Sequence, residues 1–301
     1  MAKTNEEQGV IESSPTGRSQ DDAFLSAYSR LMGPLQEAFI TIESARPVPV
    51  RDISEIAHYL TDLTDTPDLL NKLQEVRDKQ DPMLQHSLNV ALVAGCLVKW
   101  LDMPRNAIME AIFAGLLHDV GKMLIPETIL LKPKKLLPYE QGVIRCHPFH
   151  SYQLIQPSIH IPQSVKLAVL QHHERLDGSG YPAQLKLDEI SFLAQVLAVA
   201  DSYDAMMSGR PYRTALAHIE VMEELANKMY VKLDATVCIV LLDKIKQAVV
   251  GNQVELDDGR TAKIVRFEKP RNPRPLLQFD DGDYLDLSRN PRIRITGISP
   301  S

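Results

Sequence analysis

A series of metal-capable side chains, set at intervals of about one helical hairpin, constrains this chain more than any other feature. The series is His86, the pair His118-Asp119, His147, the pair His172-His173, and Asp201. A lone histidine at the end of an apolar helix is ordinarily a core imidazole bonded to a backbone carbonyl. A whole series at this spacing suits helices that converge on one centre. Adjacent helical residues diverge by about 100° around the axis. His118 and Asp119 can therefore approach a cluster from different sides, with the carboxylate long enough to bridge two ions, and His172 with His173 repeats the arrangement. Neutral imidazole and carboxylate suit Fe, Mn and Zn alike.

The surrounding pattern is that of a mainly α chain. Residues 1–20 are rich in Glu, Ser, Gly and Gln and predict a flexible tail. A short helical region is expected over 21–80: Leu25, Tyr28, Leu31, Leu35 and Phe39 recur at helical spacing, Asp52 can cap a segment through Leu60, and Pro67 can open another toward Gln80. That apolar stripe is open to two readings, core burial or a homodimer interface. Over 81–248 helices are expected at 84–100, 106–118, 139–147, 162–173, 191–207 and 219–229, separated by Pro or Gly breaks. After Gly251 the pattern changes to short alternating runs at 254–256, 261–267, 276–279, 284–287 and 293–298, with Asp-Asp-Gly turns between them. A small β-barrel-like domain over 251–298 is the expectation.

Composition excludes several classes. The net charge of -6, with no basic block, argues against a nucleic-acid polymer as partner. Cys96, Cys146 and Cys238 show no C-x-x-C spacing, which fits a reducing cytoplasm and no disulfide framework. Cys146, beside His147, reads as a buried apolar residue. No signal-like apolar segment opens the sequence, and no apolar stretch approaches the roughly 20 residues of a membrane span.

The stretch 172–182 joins the two histidines to a glycine-punctuated loop. Gly178 and Gly180 permit positive φ and close backbone approach, and Pro182 stiffens the exit, so that Tyr181 is presented from a shaped turn. Asp177 is expected to turn the backbone and Glu174 to orient a ligand histidine. Lys122, shortly after His118, is placed to neutralise a phosphate oxygen.

These residues resemble the HD-GYP family of bacterial phosphodiesterases, a branch of the HD metal-dependent phosphohydrolases. His86, His118-Asp119 and Asp201 match its basic metal signature, and His147, His172 and His173 match the extra histidines of the HD-GYP branch. Gly180-Tyr181-Pro182 matches the loop that names the family, and Arg210-Pro211-Tyr212-Arg213 its R-P-Y pattern. The resemblance implies an all-helical HD-type domain that hydrolyses cyclic di-GMP to pGpG, and onward to GMP, with a hydroxide shared by two metal ions. Asp119 and Lys122 would serve the reaction; Lys122, Gly180, Tyr181, Pro182, Arg210 and Arg213 would contact substrate. Fe or Mn is the implied metal. Pro82 stands where some members place a glutamate for a third ion, which favours two. Two other readings stay open: a cyclic-dinucleotide receptor that binds without efficient turnover and signals to a partner protein, and a hydrolase of another cyclic dinucleotide.

Overall fold

The apolar runs form helices whose ends are set by local chemistry. In the computed structural model the described residues are 16–44, 46–76, 81–208, 218–269 and 271–299. Helices α1 (Thr16–Glu43), α2 (Val50–Leu63) and α3 (Leu69–Glu75) precede α4 (Pro82–Trp100) and α5 (Arg105–Leu117). After a 3₁₀ turn at Val120–Leu124 come α6 (Glu127–Leu130), α7 (Pro138–Ile144), α8 (His147–Ile155) and α9 (Gln163–Gln171). The helical part ends with α10 (Phe192–Met207), α11 (His218–Lys228) and α12 (Ala235–Val249). The architecture is mainly α with a small C-terminal antiparallel sheet, as the sequence pattern leads one to expect.

Helix α4 shows how a boundary is written locally. Asp81 caps it by accepting a hydrogen bond from the Leu84 N–H at 3.1 Å, and Pro82 occupies the first turn. Proline suits that place because its missing N–H would have had no helical partner anyway. Beyond the first turn α4 is buried on nearly every side, from Ser87 through Val98. It packs most extensively on α5, and α9 and α10 complete the bundle around the pair. Helix α8 lies against α9 and the 3₁₀ turn, and α1 and α2 lie over α4 and α5.

Several boundaries differ from the sequence reading. Helix α1 already begins at Thr16, inside the stretch assigned to a tail, while 1–15 lie outside the described residues. Its buried stripe is Phe24, Tyr28, Leu31, Leu35 and Phe39, with Leu25 only half-buried. These side chains are buried within the chain itself. Asp52 lies in the first turn of α2, whose N-cap position is held by Pro49. Helix α3 begins two residues after Pro67, following Asp68 at φ 52°. The segment expected at 139–147 ends early at Ile144, and His147 opens a separate helix, followed by Pro148 in its first turn. Helix α12, capped by Asp234 through the Val237 N–H at 2.9 Å, was not singled out from the sequence. Its β-branched Thr236, Val237, Ile239 and Val240 blur the helical signal.

Strands β1 (Gln253–Leu256), β2 (Thr261–Arg266), β3 (Leu276–Gln278), β4 (Tyr284–Asp286) and β5 (Ile295–Ser299) form one sheet in the order β4-β3-β2-β1-β5, all neighbours antiparallel. Val254 pairs with Ala262, and alternate residues Val254, Leu256, Ala262 and Ile264 turn inward to join the core. Instead of the barrel-like closure read from the sequence, β4 and β5 remain as edges, with no pairing between them among the described residues.

The tight contact between α4 and α5 depends on Gly115. A Cβ there would stand 2.4 Å from Ala91 Cα and 2.6 Å from Ala91 N, both backbone atoms of α4. Gly115→Ala is expected to destabilise the chain by about 1–3 kcal/mol or more, the range for overpacked cores. The measurement is urea unfolding, where the midpoint should fall with the slope unchanged.

Candidate metal centre

Five elements deliver the site. His86 comes from the second turn of α4; His118 closes α5 with Asp119 next to it; His147 opens α8; His172 closes α9 with His173 following; Asp201 lies in the middle of α10. Gly121 lets the 3₁₀ turn approach α8: a Cβ at that position would meet His147 O at 2.3 Å. Ser151 fastens the same junction, accepting from the Gly121 N–H at 2.8 Å and donating to His118 O at 2.7 Å.

The side chains gather in two groups, His86 with His118 and Asp119, and His147 with His172 and His173, the ligand atoms of each lying within 4.8 Å of one another. Two carboxylates span them. Asp119 places Oδ2 3.3 Å from His118 Nε2 and 3.6 Å from His86 Nε2, and Oδ1 3.1 Å from His147 Nε2. Asp201 places Oδ1 3.2 Å from His86 Nε2 and Oδ2 3.8 Å from His173 Nδ1.

Tautomers follow from the partners of the other ring nitrogens. His118, His147 and His172 each point Nδ1 at a backbone carbonyl, that of Gly115 at 2.8 Å, Ile144 at 2.7 Å and Val169 at 2.7 Å. A carbonyl only accepts, so Nδ1 carries the proton and the neutral ring presents a lone pair at Nε2. His147 Nε2 and His172 Nε2 then face each other lone pair to lone pair at 3.4 Å. Asp119 Oδ1, buried, makes no hydrogen bond although His147 Nε2 is close by. Such an arrangement is repulsive alone and favourable around a cation, so this donor set fits divalent metal ions.

Electrostatics agree. Burial, reinforced by the neighbouring histidines, holds His172 well below the usual imidazole range, and burial takes His173 to about 3 against the pull of Asp201, so both rings stay neutral. Burial alone would raise Asp119 and Asp201, but the Lys122 ammonium beside the first and a hydrogen bond from His86 to the second keep both carboxylates well below the ordinary range. For His86, burial disfavours the charged ring, yet hydrogen bonds to Asp201 and Asp204 outweigh it and lift the ring to about 10. A metal ion at this group would therefore compete with a proton for His86 Nε2. Lys122 extends from the 3₁₀ turn to pair with Asp119 Oδ2.

The loop after His173 folds back on its own start. Gly180 has no room for a side chain, since a Cβ would lie 2.4 Å from Arg175 N and Glu174 Cα. Gly178 is the position that needs positive φ, at 79°. Asp177 accepts from the Ser179 N–H at 2.9 Å, the turn expected of it. Glu174 does not orient a histidine: its carboxylate accepts from the N–H groups of Ala183 at 2.6 Å and Leu185 at 3.0 Å, bracing the loop. Tyr181 lies with its ring centroid 4.7 Å from that of His173, under the Arg145 guanidinium at 5.5 Å, and the Tyr181-Pro182 peptide is cis.

Other sequence expectations shift. Cys146 is exposed, not buried, because it sits at the turn between α7 and α8 and donates to Gly142 O. Arg210 and Arg213 lie outside the described residues. A relay went unrecognised: Tyr28 Oη donates to Asn89 Oδ1 at 2.7 Å, Asn89 Nδ2 to Asp204 Oδ1 at 3.0 Å, and Asp204 Oδ2 meets His86 Nδ1 at 2.7 Å. The available signal was the spacing of Asp201 and Asp204, which puts both carboxylates on one face of α10.

Comparison with known proteins agrees with this geometry. The HD domain family profile matches residues 64–237. The chain belongs to the HD domain family. It is 32% identical to a cyclic di-GMP phosphodiesterase of Pseudomonas aeruginosa over 78% of this chain and 59% of that protein. It is 38% identical to a cyclic di-GMP phosphodiesterase of Thermotoga maritima over 54% of this chain and 45% of the relative. It is also 36% identical to a 3′3′-cGAMP-specific phosphodiesterase of Vibrio cholerae over 54% of this chain and 38% of the relative. The chain thus spans less than two thirds of the length of these relatives. In fold, the HDG"Y"P protein Bd1817 of Bdellovibrio bacteriovorus superposes with a TM-score of 0.62 at 18% identity, over 78% of this chain and 75% of that one. Among the described residues no helix is long and apolar enough to cross a membrane.

Asp204 holds the Nδ1–H of His86 and so turns Nε2 toward the other histidines and Asp119. Asp204→Ala is expected to weaken metal retention about 10–100-fold, the usual effect of losing a partner that orients a ligand. Metal loss to a graded series of competing chelators, with helical content checked by circular dichroism, measures it.

Proposed function

We propose that the protein is a metal-dependent phosphodiesterase that opens cyclic di-GMP to pGpG and continues toward GMP. The observation that carries this reading is the pair of carboxylates, Asp119 and Asp201, spanning two groups of histidines whose lone pairs converge. Two Fe or Mn ions are assigned to His86, His118, Asp119, His147, His172, His173 and Asp201. When bound, such a pair of ions acidifies water and neutralises phosphoryl oxygens. A third ion finds no carboxylate beside His86 on α4, since Pro82 replaces one and Asp81 is engaged in the helix cap.

The remaining roles belong to the chain's own residues. The Lys122 ammonium, beside Asp119 and partly open to solvent, is placed to bind a phosphate oxygen and to offset charge as it develops. Tyr181 offers a ring face for a guanine, with Gly180 and Pro182 setting its position, and Arg210 and Arg213 follow α10 in the sequence as further contacts. His118, His147 and His172 are buried and would shield a bound phosphate from bulk water on their side. We assign residues 81–248 to catalysis and place the protein in the cytoplasm. The Vibrio cholerae relatives named for cGAMP support a second reading, hydrolysis of a mixed cyclic dinucleotide at the same centre.

Elemental analysis of anaerobically purified protein is expected to return two ions per chain. Loaded with Fe or Mn, it should convert cyclic di-GMP, and His118→Ala and Asp119→Ala should each reduce turnover to the level seen with chelator. Retained turnover in both variants would refute the site. Binding of cyclic di-GMP by the loaded wild type without product would make it a receptor, and a faster initial rate with cGAMP would establish the second reading.

A further inference from the structure

A cavity of about 250 Å³ reaches the candidate metal centre at His173, and its wall is shared by Tyr181, Arg145, Arg175, Lys228 and Lys232. Four cations line one small space in a chain whose net charge is -6. They come from three separate parts of the fold: Arg145 from the end of α7, Arg175 from the loop after α9, and Lys228 and Lys232 from the end of α11 and the turn beyond it. Local attachments hold them there. Arg175 Nη1 donates to His172 O at 3.1 Å and to Glu174 O at 2.7 Å, and Arg145 rests over the Tyr181 ring. The turn carrying Lys232 is tied to the loop, because Lys232 O accepts from the Leu176 N–H at 3.2 Å. The ion pair of Lys228 with Glu224, at 3.0 Å, joins two partly exposed side chains one helical turn apart, an interaction weak enough to be exchanged for a phosphate.

The size of the cavity restricts its ligand. It is smaller than the roughly 300–1,000 Å³ of a pocket that encloses a whole small molecule, so it takes one anionic portion of something larger. It also touches His173, so that portion must be joined to a group lying at the metals. A cyclic dinucleotide has this form, since its ring holds two phosphodiesters at a fixed separation. We propose that Arg145, Arg175, Lys228 and Lys232 form a subsite for the phosphodiester that is not being cut. The inference rests on the phosphodiesterase reading above and deepens it: the metal centre selects for a phosphodiester, and this cavity selects for a substrate carrying two. Guanidinium and ammonium groups are the donors that form strong charge-assisted hydrogen bonds with phosphate oxygens.

The test uses the full chain loaded with Mn and two substrates, cyclic di-GMP with two phosphates and bis(4-nitrophenyl) phosphate with one. In the Lys228→Gln/Lys232→Gln double variant, KM for cyclic di-GMP is expected to rise about tenfold or more, as for loss of charged hydrogen bonds. kcat should stay within about twofold, and kinetics with the single-phosphate diester should stay as in wild type. Arg145→Gln should act in the same direction. An unchanged KM for cyclic di-GMP, or an equal loss with both substrates, would overturn the subsite. Should the wild type hydrolyse neither substrate, the phosphodiesterase reading fails by itself. Calorimetric binding of cyclic di-GMP then decides the subsite: affinity about tenfold weaker in the double variant supports it, and equal affinity overturns it.

Discussion

Burying two carboxylates among five imidazoles is the condition on which the rest of the structure depends. Asp119 and Asp201 remain ionised only because positive or proton-sharing groups surround them, and His172 and His173 remain neutral because burial removes the water that would stabilise their charge. Carbonyls of Gly115, Ile144 and Val169 fix the protons of three rings on the outer nitrogen, and Asp204 does the same for His86. These four rings are thereby turned so that Nε2 faces inward. Ion binding would relieve the repulsion that this produces, which would make metal binding and stability of the centre parts of one equilibrium.

That arrangement requires helices to approach more closely than side chains normally allow. Gly115 brings the backbone of α5 onto α4, and Gly121 brings the 3₁₀ turn onto α8, so that His86, His118 and His147 come within bonding reach of Asp119. Gly180 does the same for the loop that presents Tyr181. The N-terminal helix is part of this construction too. Although the HD match begins at residue 64, Tyr28 of α1 stands at the outer end of the relay that reaches His86.

The helical core, the sheet and the converging His and Asp residues were legible in the sequence because each is written in local chemistry. Apolar periodicity marks α4, α5, α9 and α10; alternation and Asp-Asp-Gly turns mark the strands; paired His-Asp and His-His mark helix ends that point inward. Misreadings arose where distant partners decide the role. Glu174 is next to His173 in sequence, yet its carboxylate finds the N–H groups of Ala183 and Leu185 once the loop folds back. Cys146 neighbours a buried histidine but occupies the outer side of a tight turn. Asn89 and Tyr28 looked like ordinary helix residues, since nothing within a turn of either one involves Asp204.

What the sequence determined by itself was which residues have metal chemistry and that helices must carry them to one place, because residue type and spacing are local properties. Only the tertiary structure decided that Asp119 and Asp201 each span two histidine groups, that Asp204 orients His86, and that lysines from the α11 end meet arginines from α7 and the Tyr181 loop. The physical reason is that lone-pair direction, desolvation and charge proximity depend on distances of 3–4 Å between segments up to about a hundred residues apart, and no pattern along the chain encodes those distances.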